Sequence, residues 1–420
     1  MRRLPWVLLV LIVGNAALWG QGAPPTEQTE LVQSLLARIE KLEKRVAELE
    51  GKNGDQTSGH AGDPAQTVDP PQEAAVATPE QERQGGPATA KKAPAGEAHY
   101  PSLRFQGFAD VDFSATNDHV TPSGFNMGQF VLHLSSPLSK KVSAFGEISF
   151  NARPNGFLVE LERAFIRYDY NDHFKASFGR FHTPINYWNT TFHHGLWLQT
   201  TISRPEMVQF GGRFIPVHFV GMLAEGNIPS GKAGLGYVAG IGNGRGSILS
   251  RGGDAGDINN NRAWFVNVFS RPSKPFGLQI GGAVYGDKLT PGGGPEFGEL
   301  ITSGYVVWTK ETPEVIAEFA NVRHRQLITS QIFNSQAFYV QVAYRLPWDE
   351  KHWKPYYRFE YINRPETEPI LGVPDLVRSI LGVRYDISDY AAFKAEYRHS
   401  RREPATSKVD GVFLQTSFTF

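Results

Sequence analysis

The sequence predicts an all-β protein: a 16-stranded antiparallel transmembrane β-barrel, preceded by a periplasmic coiled-coil helix and a disordered linker. Three observations carry that prediction. Across residues 99–420 apolar and polar side chains alternate with period two. The connections between these alternating runs are short and long by turns, with aromatic residues gathered at the run ends. The chain closes on an amphipathic run that terminates in Phe420.

Composition narrows the alternatives. The 420 residues carry 42 basic and 42 acidic side chains, so no charge excess points to nucleic acid as a partner. Cysteine is absent, which excludes a disulfide framework, thiolate catalysis and Cys-ligated zinc. Aromatics reach 12%, there are 43 glycines, and mean hydropathy is −0.32. A bundle of membrane helices does not fit that hydropathy. A barrel does, because only every second strand residue faces lipid.

Residues 1–22 read as a signal peptide. Arg2 and Arg3 are its basic start, Leu4 to Val13 its apolar core, and Asn15 to Gly20 its small-residue tail. The apolar run is too short to span a bilayer, which takes about 20 residues.

Residues 26–50 carry a heptad. Val32, Ile39 and Val46 take position a, and Leu35, Leu42 and Leu49 take position d. Arg38 and Arg45 fall at g, with Glu43 and Glu50 at the following e, so each Arg faces a Glu of a parallel neighbour. β-branched a with Leu d favours two strands. The stretch Arg38 to Glu43 and its repeat Arg45 to Glu50 resemble a short motif of trimeric coiled coils, which favours a homotrimer. Residues 51–98 are rich in Gly, Pro, Ala, Gln and Thr and lack apolar periodicity, as a flexible linker does.

Residues 99–420 form the barrel. Leu103, Phe105, Ala109, Val111 and Phe113 alternate with Arg104, Gln106, Asp110 and Asp112. Phe359 and Tyr361 alternate with Arg358 and Glu360; Leu381 and Val383 alternate with Gly382 and Arg384. Short connections at 136–140, 171–172, 271–275 and 311–313 contrast with long ones near 181–207, 243–260, 287–298 and 400–410, the pattern of periplasmic turns and outer loops. Tyr168, Tyr170, Trp264, Trp308, Trp348, Trp353, Tyr356 and Tyr357 are placed in interfacial girdles. An even strand count requires Val208 to Glu225 to be one long strand, bulged at Gly211-Gly212 and Pro216.

A barrel of this size encloses water. Its candidate pore-lining residues are Arg104, Arg163, Arg167, Lys175, Arg213, Arg345, Arg358, Arg378, Arg384, Lys394 and Arg398, with Asp112, Glu147, Glu360 and Glu396 among them. Arginine's donor fork suits phosphate or carboxylate, so a mild anion preference is expected. The aromatic loop 181–207 is the expected constriction, through Tyr187, Trp188, His193, His194 and Arg204. His193-His194 alone is weak evidence for a metal, and neither metal, cofactor nor catalytic group is expected.

Glu162-Arg163-Ala164-Phe165-Ile166-Arg167-Tyr168, followed by Phe178-Gly179-Arg180-Phe181-His182-Thr183-Pro184, resembles a stretch of the phosphate-selective porin O and P family. Gly240-Ile241-Gly242-Asn243-Gly244 is similar to that family's strand ending in an Asn-Gly loop. The resemblance implies a trimeric 16-stranded porin of the bacterial outer membrane. The chain departs from that family in lacking a dense Lys cluster. The expected function is passive diffusion of small hydrophilic solutes or anions through an outer-membrane homotrimer embedded in lipid, with no chemistry. The alternative is a tether whose coiled coil and linker contact peptidoglycan while the barrel anchors it. An outer-membrane hydrolase ranks third, because no Ser/His or Asp/His constellation stands out.

Overall fold

The computed structural model describes Lys44 and residues 100–420, apart from 119–122, 193, 211–212, 247–248, 250–252, 293 and 404–407. The signal peptide, the heptad apart from Lys44, the linker, His193 and Gly211-Gly212 lie outside the described residues.

Sixteen strands make one closed antiparallel barrel. In chain order they are β1 (Arg104–Thr116), β2 (Gly124–Pro137), β3 (Val142–Arg153), β4 (Gly156–Asn171), β5 (Phe174–His182), β6 (His218–Asn227), β7 (Leu235–Asn243) and β8 (Arg262–Ser270). Then follow β9 (Leu278–Leu289), β10 (Phe297–Trp308), β11 (Glu314–Gln326), β12 (Ile332–Ala343), β13 (Trp353–Asn363), β14 (Asp375–Ser388), β15 (Ala391–Glu403) and β16 (Lys408–Thr419). Every strand pairs with its sequence neighbours, and β1 pairs with β16 to close the ring. Closure leaves no sheet edge, so each strand's backbone donors and acceptors meet a partner on both sides.

The period-two pattern sorts side chains into outward and inward sets. Phe105 on β1 is 67% exposed and Leu381 on β14 is 62% exposed, both outward. Asp110, Glu318, Arg358 and Gln415 are buried inside. Tyr168, Tyr170, Trp348 and Trp353 are exposed near one end, whereas Tyr357 is exposed at mid-strand. Tyr356 is a correction: it points inward, where its hydroxyl donates to Glu396 at 2.9 Å. Its neighbour Tyr357 takes the outward place, as alternation demands. Among the described residues no helix is long and apolar enough to cross a membrane.

The strand count agrees with the sequence, but one strand does not. Residues 208–217 are not the first half of a long β6. Glu206–Val208 is a 3-10 turn and β6 starts at His218. Pro205 and Pro216 lack the N–H a ladder needs. Val208, Phe214, Ile215 and Val217 are buried inside the barrel instead of facing outward. The connection from β5 to β6 therefore runs over 183–217. At that same end, β3 and β4 are joined by a tight turn at 154–155, so long connections there are not universal.

Candidate functional site

The described residues of the segment 183–217 lie within the barrel, and the segment's composition explains why. Ile185, Tyr187, Trp188, Met207, Val208, Phe214 and Ile215 are too apolar to remain in water. They pack with inward residues of β6 to β14, including Phe219, Phe265, Tyr285, Tyr305, Ile316, Tyr339 and Leu376. One half of the interior is thereby a packed core. Trp188, fully buried on the short helix α1 (Trp188–Thr191), sits edge-on to Tyr339 and Phe192.

The two ends of the segment are tied together. His182 pairs with His218 in the β5–β6 ladder, and the Thr183 N–H donates to Val217 O at 2.8 Å. Asn189 Nδ2 donates to Thr183 O and Val217 O. Gly195, at φ +82°, brings the chain against β1; a Cβ there would stand 3.1 Å from the Phe108 ring.

Polar anchors on the wall meet the segment's backbone. Glu318 on β11 accepts the N–H groups of Tyr187 and Trp188 at 3.0 and 2.6 Å. Glu396 on β15 accepts the Ile202 N–H at 2.7 Å, and Glu360 on β13 accepts that of Glu206 at 2.8 Å. Arg358 donates to Thr201 Oγ1, Ser203 O and Ser203 Oγ, and its Nε to Glu360. Arg384 donates to Trp197 O and Gln199 O, and Lys394 to Leu196 O and Thr201 O. Arg378 reaches Glu206 at 3.0 Å. An irregular backbone inside a barrel needs such partners, because unpaired buried N–H and C=O groups are costly.

Between the segment and the wall formed by β1 to β6, β15 and β16 there is a cavity of 680 Å³. Asp110, Asp112, Glu160 and Glu162 line it together with Arg153, Arg180, Arg204 and Arg398. Arg204 donates to Val208 O at 2.7 Å and lies 4.0 Å over the Phe210 ring. Phe210 in turn stacks on His194.

The structure distributes the sequence candidates unevenly. Arg398, Arg204 and His194 line the cavity. Arg358, Arg378, Arg384 and Lys394 face inward but are buried beneath the segment, bonded to it. Tyr187 and Trp188 belong to the apolar core rather than to the cavity lining. Arg163 and Arg167 face inward and pair with Glu147 and with Asp169 and Glu225. Lys175 is half-buried opposite Glu225 in the β5–β6 register. Arg104 is exposed at the start of β1. Arg213 is not on a strand: it is an exposed part of the segment, donating to Gly372 O. Arg345 lies past the end of β12 in a turn, paired with Glu311 and Asp386.

Sequence reasoning missed Arg153, Arg180, Glu160, Glu162 and His218. For Glu162 a signal existed in principle. It shares β4 with Arg163, and alternation cannot place both inward unless the strand bulges. The β3–β4 register shifts there: Glu147 pairs with Arg163 and Ile148 with Leu161, leaving Glu162 as the extra residue. The same wall holds the one metal-compatible group among the described residues: donor atoms of Glu147, His182 and His194 lie within 4.8 Å of one another.

Comparison with solved structures finds the same architecture. The anion-selective porin from Comamonas acidovorans aligns with a TM-score of 0.57 over 76% of this chain and 100% of that one, at 11% identity. The trimer form of the outer-membrane protein OmpT of Vibrio cholerae gives 0.52 over 77% and 100%, at 12% identity. The outer-membrane channel DcaP of Acinetobacter baumannii gives 0.51 over 76% and 98%, at 11% identity. The likeness establishes the fold. It is the closed barrel of outer-membrane porins. No protein-family model and no curated protein sequence matches the chain.

Proposed function

We propose that the chain is an outer-membrane porin that passes small hydrophilic solutes by diffusion, through a lumen narrowed by residues 183–217. The observation that carries this reading is the polar cavity left beside the segment: a closed barrel whose interior is half packed core and half charged space. The outward apolar faces suit lipid, and the N-terminal region would lie in the periplasm. Kinship with the phosphate-selective porin O and P family rests on the Glu162–Tyr168 and Phe178–Pro184 motifs. The homotrimer rests on the heptad at 26–50 and is in keeping with the trimer form of the Vibrio cholerae neighbour.

The finer part of the proposal is a mild anion preference. Arginine is the cation of the lining, and its planar fork suits oxyanions. Four carboxylates face the four arginines Arg153, Arg180, Arg204 and Arg398, so the lining's formal charge cancels and the preference is small. Planar-bilayer recording of the purified protein tests both parts. Stepwise conductance closing in three equal levels is expected. A silent barrel would overturn the porin reading in favour of the anchored tether. The reversal potential in a KCl gradient should show slight anion selectivity; a cation-selective value would remove that part alone.

A further inference from the structure

Six inward side chains meet where β2 to β6 and the segment converge. His133 on β2 is paired in register with Glu147 on β3, and its Nε2 lies 2.8 Å from Glu147 Oε1. His182, at the end of β5, puts Nε2 at 3.3 Å from Glu147 Oε2. The bulge residue Glu162 is the second carboxylate. His194 Nε2 from the segment lies 3.2 Å from its Oε1, and His218 Nε2, at the start of β6, 2.8 Å from its Oε2. The His182 ring stands 5.6 Å from that of His218 and 6.1 Å from that of His194. Glu147 is fully buried; Glu162, His133, His182 and His194 are nearly so.

Two features separate this cluster from an ordinary buried ion pair. Four imidazoles converge on two carboxylates, more than pairing the carboxylates requires. Two arginines are already there for that purpose: Arg163 Nε is 2.5 Å from Glu147 Oε2, and Arg180 Nη1 is 3.9 Å from Glu162 Oε2. The second feature is spacing. In a tetrahedral site with bonds of 2.0–2.1 Å, ligand atoms stand roughly 3.3 Å apart. The Glu147–His182 pair already has that separation. The full Glu147, His182, His194 set lies within 4.8 Å, so closure takes at most roughly 1.5 Å.

We propose that this cluster binds one first-row transition-metal cation, through His182 and His194 with Glu147, and that the ion pins the segment to the barrel wall. Imidazole with carboxylate suits Zn²⁺, Ni²⁺ or Cu²⁺, while Mg²⁺ and Ca²⁺ require mostly oxygen donors. The carboxylate charge is offset by Arg163 and Arg180, so Arg163 yields its contact to Glu147 when the ion enters. The ion has a route, because Glu162, His194 and His218 line the 680 Å³ cavity. His194 belongs to the segment and the other two ligands to the wall, so the ion joins residues that only the fold brings together. The inference goes beyond the porin reading and does not depend on it.

The test is zinc titration by calorimetry on untagged, full-length protein in detergent. One ion per chain is expected, with Mg²⁺ unable to compete. His182→Gln and His194→Gln should each weaken binding at least tenfold, while His352→Gln, outside the cluster, leaves it unchanged. Zinc-edge absorption of the wild type needs no variant; it should report nitrogen and oxygen neighbours near 2.0–2.1 Å with imidazole scattering. No saturable zinc binding, binding unaffected by both variants, or a spectrum without imidazole would overturn the proposal. A silent barrel that binds zinc would sink the porin reading alone, and a conducting barrel that ignores zinc would sink only this one.

Discussion

At the scale of the residue, a few carboxylates hold the interior together. Glu318 is buried and takes the N–H groups of Tyr187 and Trp188. Leaving a buried donor unmet costs about 1–3 kcal/mol. Glu318→Ala should therefore loosen the segment while the barrel stays closed. Amide exchange at 186–190 should accelerate, with strand protection unchanged; equal acceleration in β11 would refute a local role. Glu311, in the turn between β10 and β11, makes a pH prediction. Burial pushes its carboxyl up, but the hydrogen bond from Arg345 and the charge of Lys354 outweigh that and hold it at about 2, below its ordinary 4.5. Arg345 Nε reaches it at 2.9 Å and Lys354 Nζ at 3.0 Å. The folded value is the lower one, so its stabilisation is complete above about pH 4.5 and lost as pH falls toward about 2. Thermal scans across that window should show a decline that Glu311→Gln reduces. Inward charge was legible in sequence at this scale, since Arg358 and Glu360 alternate with Phe359 and Tyr361. Their partners were not: Arg358 meets Thr201 and Ser203, more than 150 positions away.

At the scale of the element, the strands and the segment obey different rules. Strands announce themselves locally, because each apolar outward residue sits two positions from the next. The segment 183–217 has no period, and its apolar content was readable as something needing cover. Its C-terminal half resembles a strand in sequence because Val208, Phe214 and Ile215 look like lipid-facing residues, whereas they are buried inside. A better signal lay in β8. Ala263 to Phe269 is apolar on both faces except at Asn267, with Trp264, Val266 and Val268 exposed outward, Phe265 and Phe269 buried inward, and the inward Asn267 donating to Pro184 O of the segment. A strand apolar on both sides has both sides covered, and inside a barrel only an inserted segment can do that. Replacing 186–214 by a short Gly-Ser turn tests the arrangement. His182 and His218 are already paired, so the ladder need not change. Single-channel conductance should rise several-fold, and the unfolding temperature should fall as the inward face of β6 to β14 meets water. Unchanged conductance would mean that the segment does not limit passage.

At the scale of the whole molecule, oligomeric state is the open consequence of the sequence. Deleting residues 26–50 should lower the temperature at which the oligomer dissociates on semi-native gels; an unchanged temperature would deny the heptad that role. Zero net charge turns out to be repeated within the cavity lining, where four arginines stand beside four carboxylates. What the sequence by itself determined is the kind of sheet: antiparallel strands and, away from bulges and strand ends, the face each residue turns outward. Those follow from alternation between neighbours two residues apart, which a closed hydrogen-bonded ring in an apolar surrounding requires. What only the tertiary structure decided is the interior: which half is packed, which arginines hold the segment rather than line the cavity, and where four histidines meet two glutamates. The physical reason is distance along the chain. Trp188 and Glu318 lie 130 positions apart and become neighbours only once the ring has closed around them.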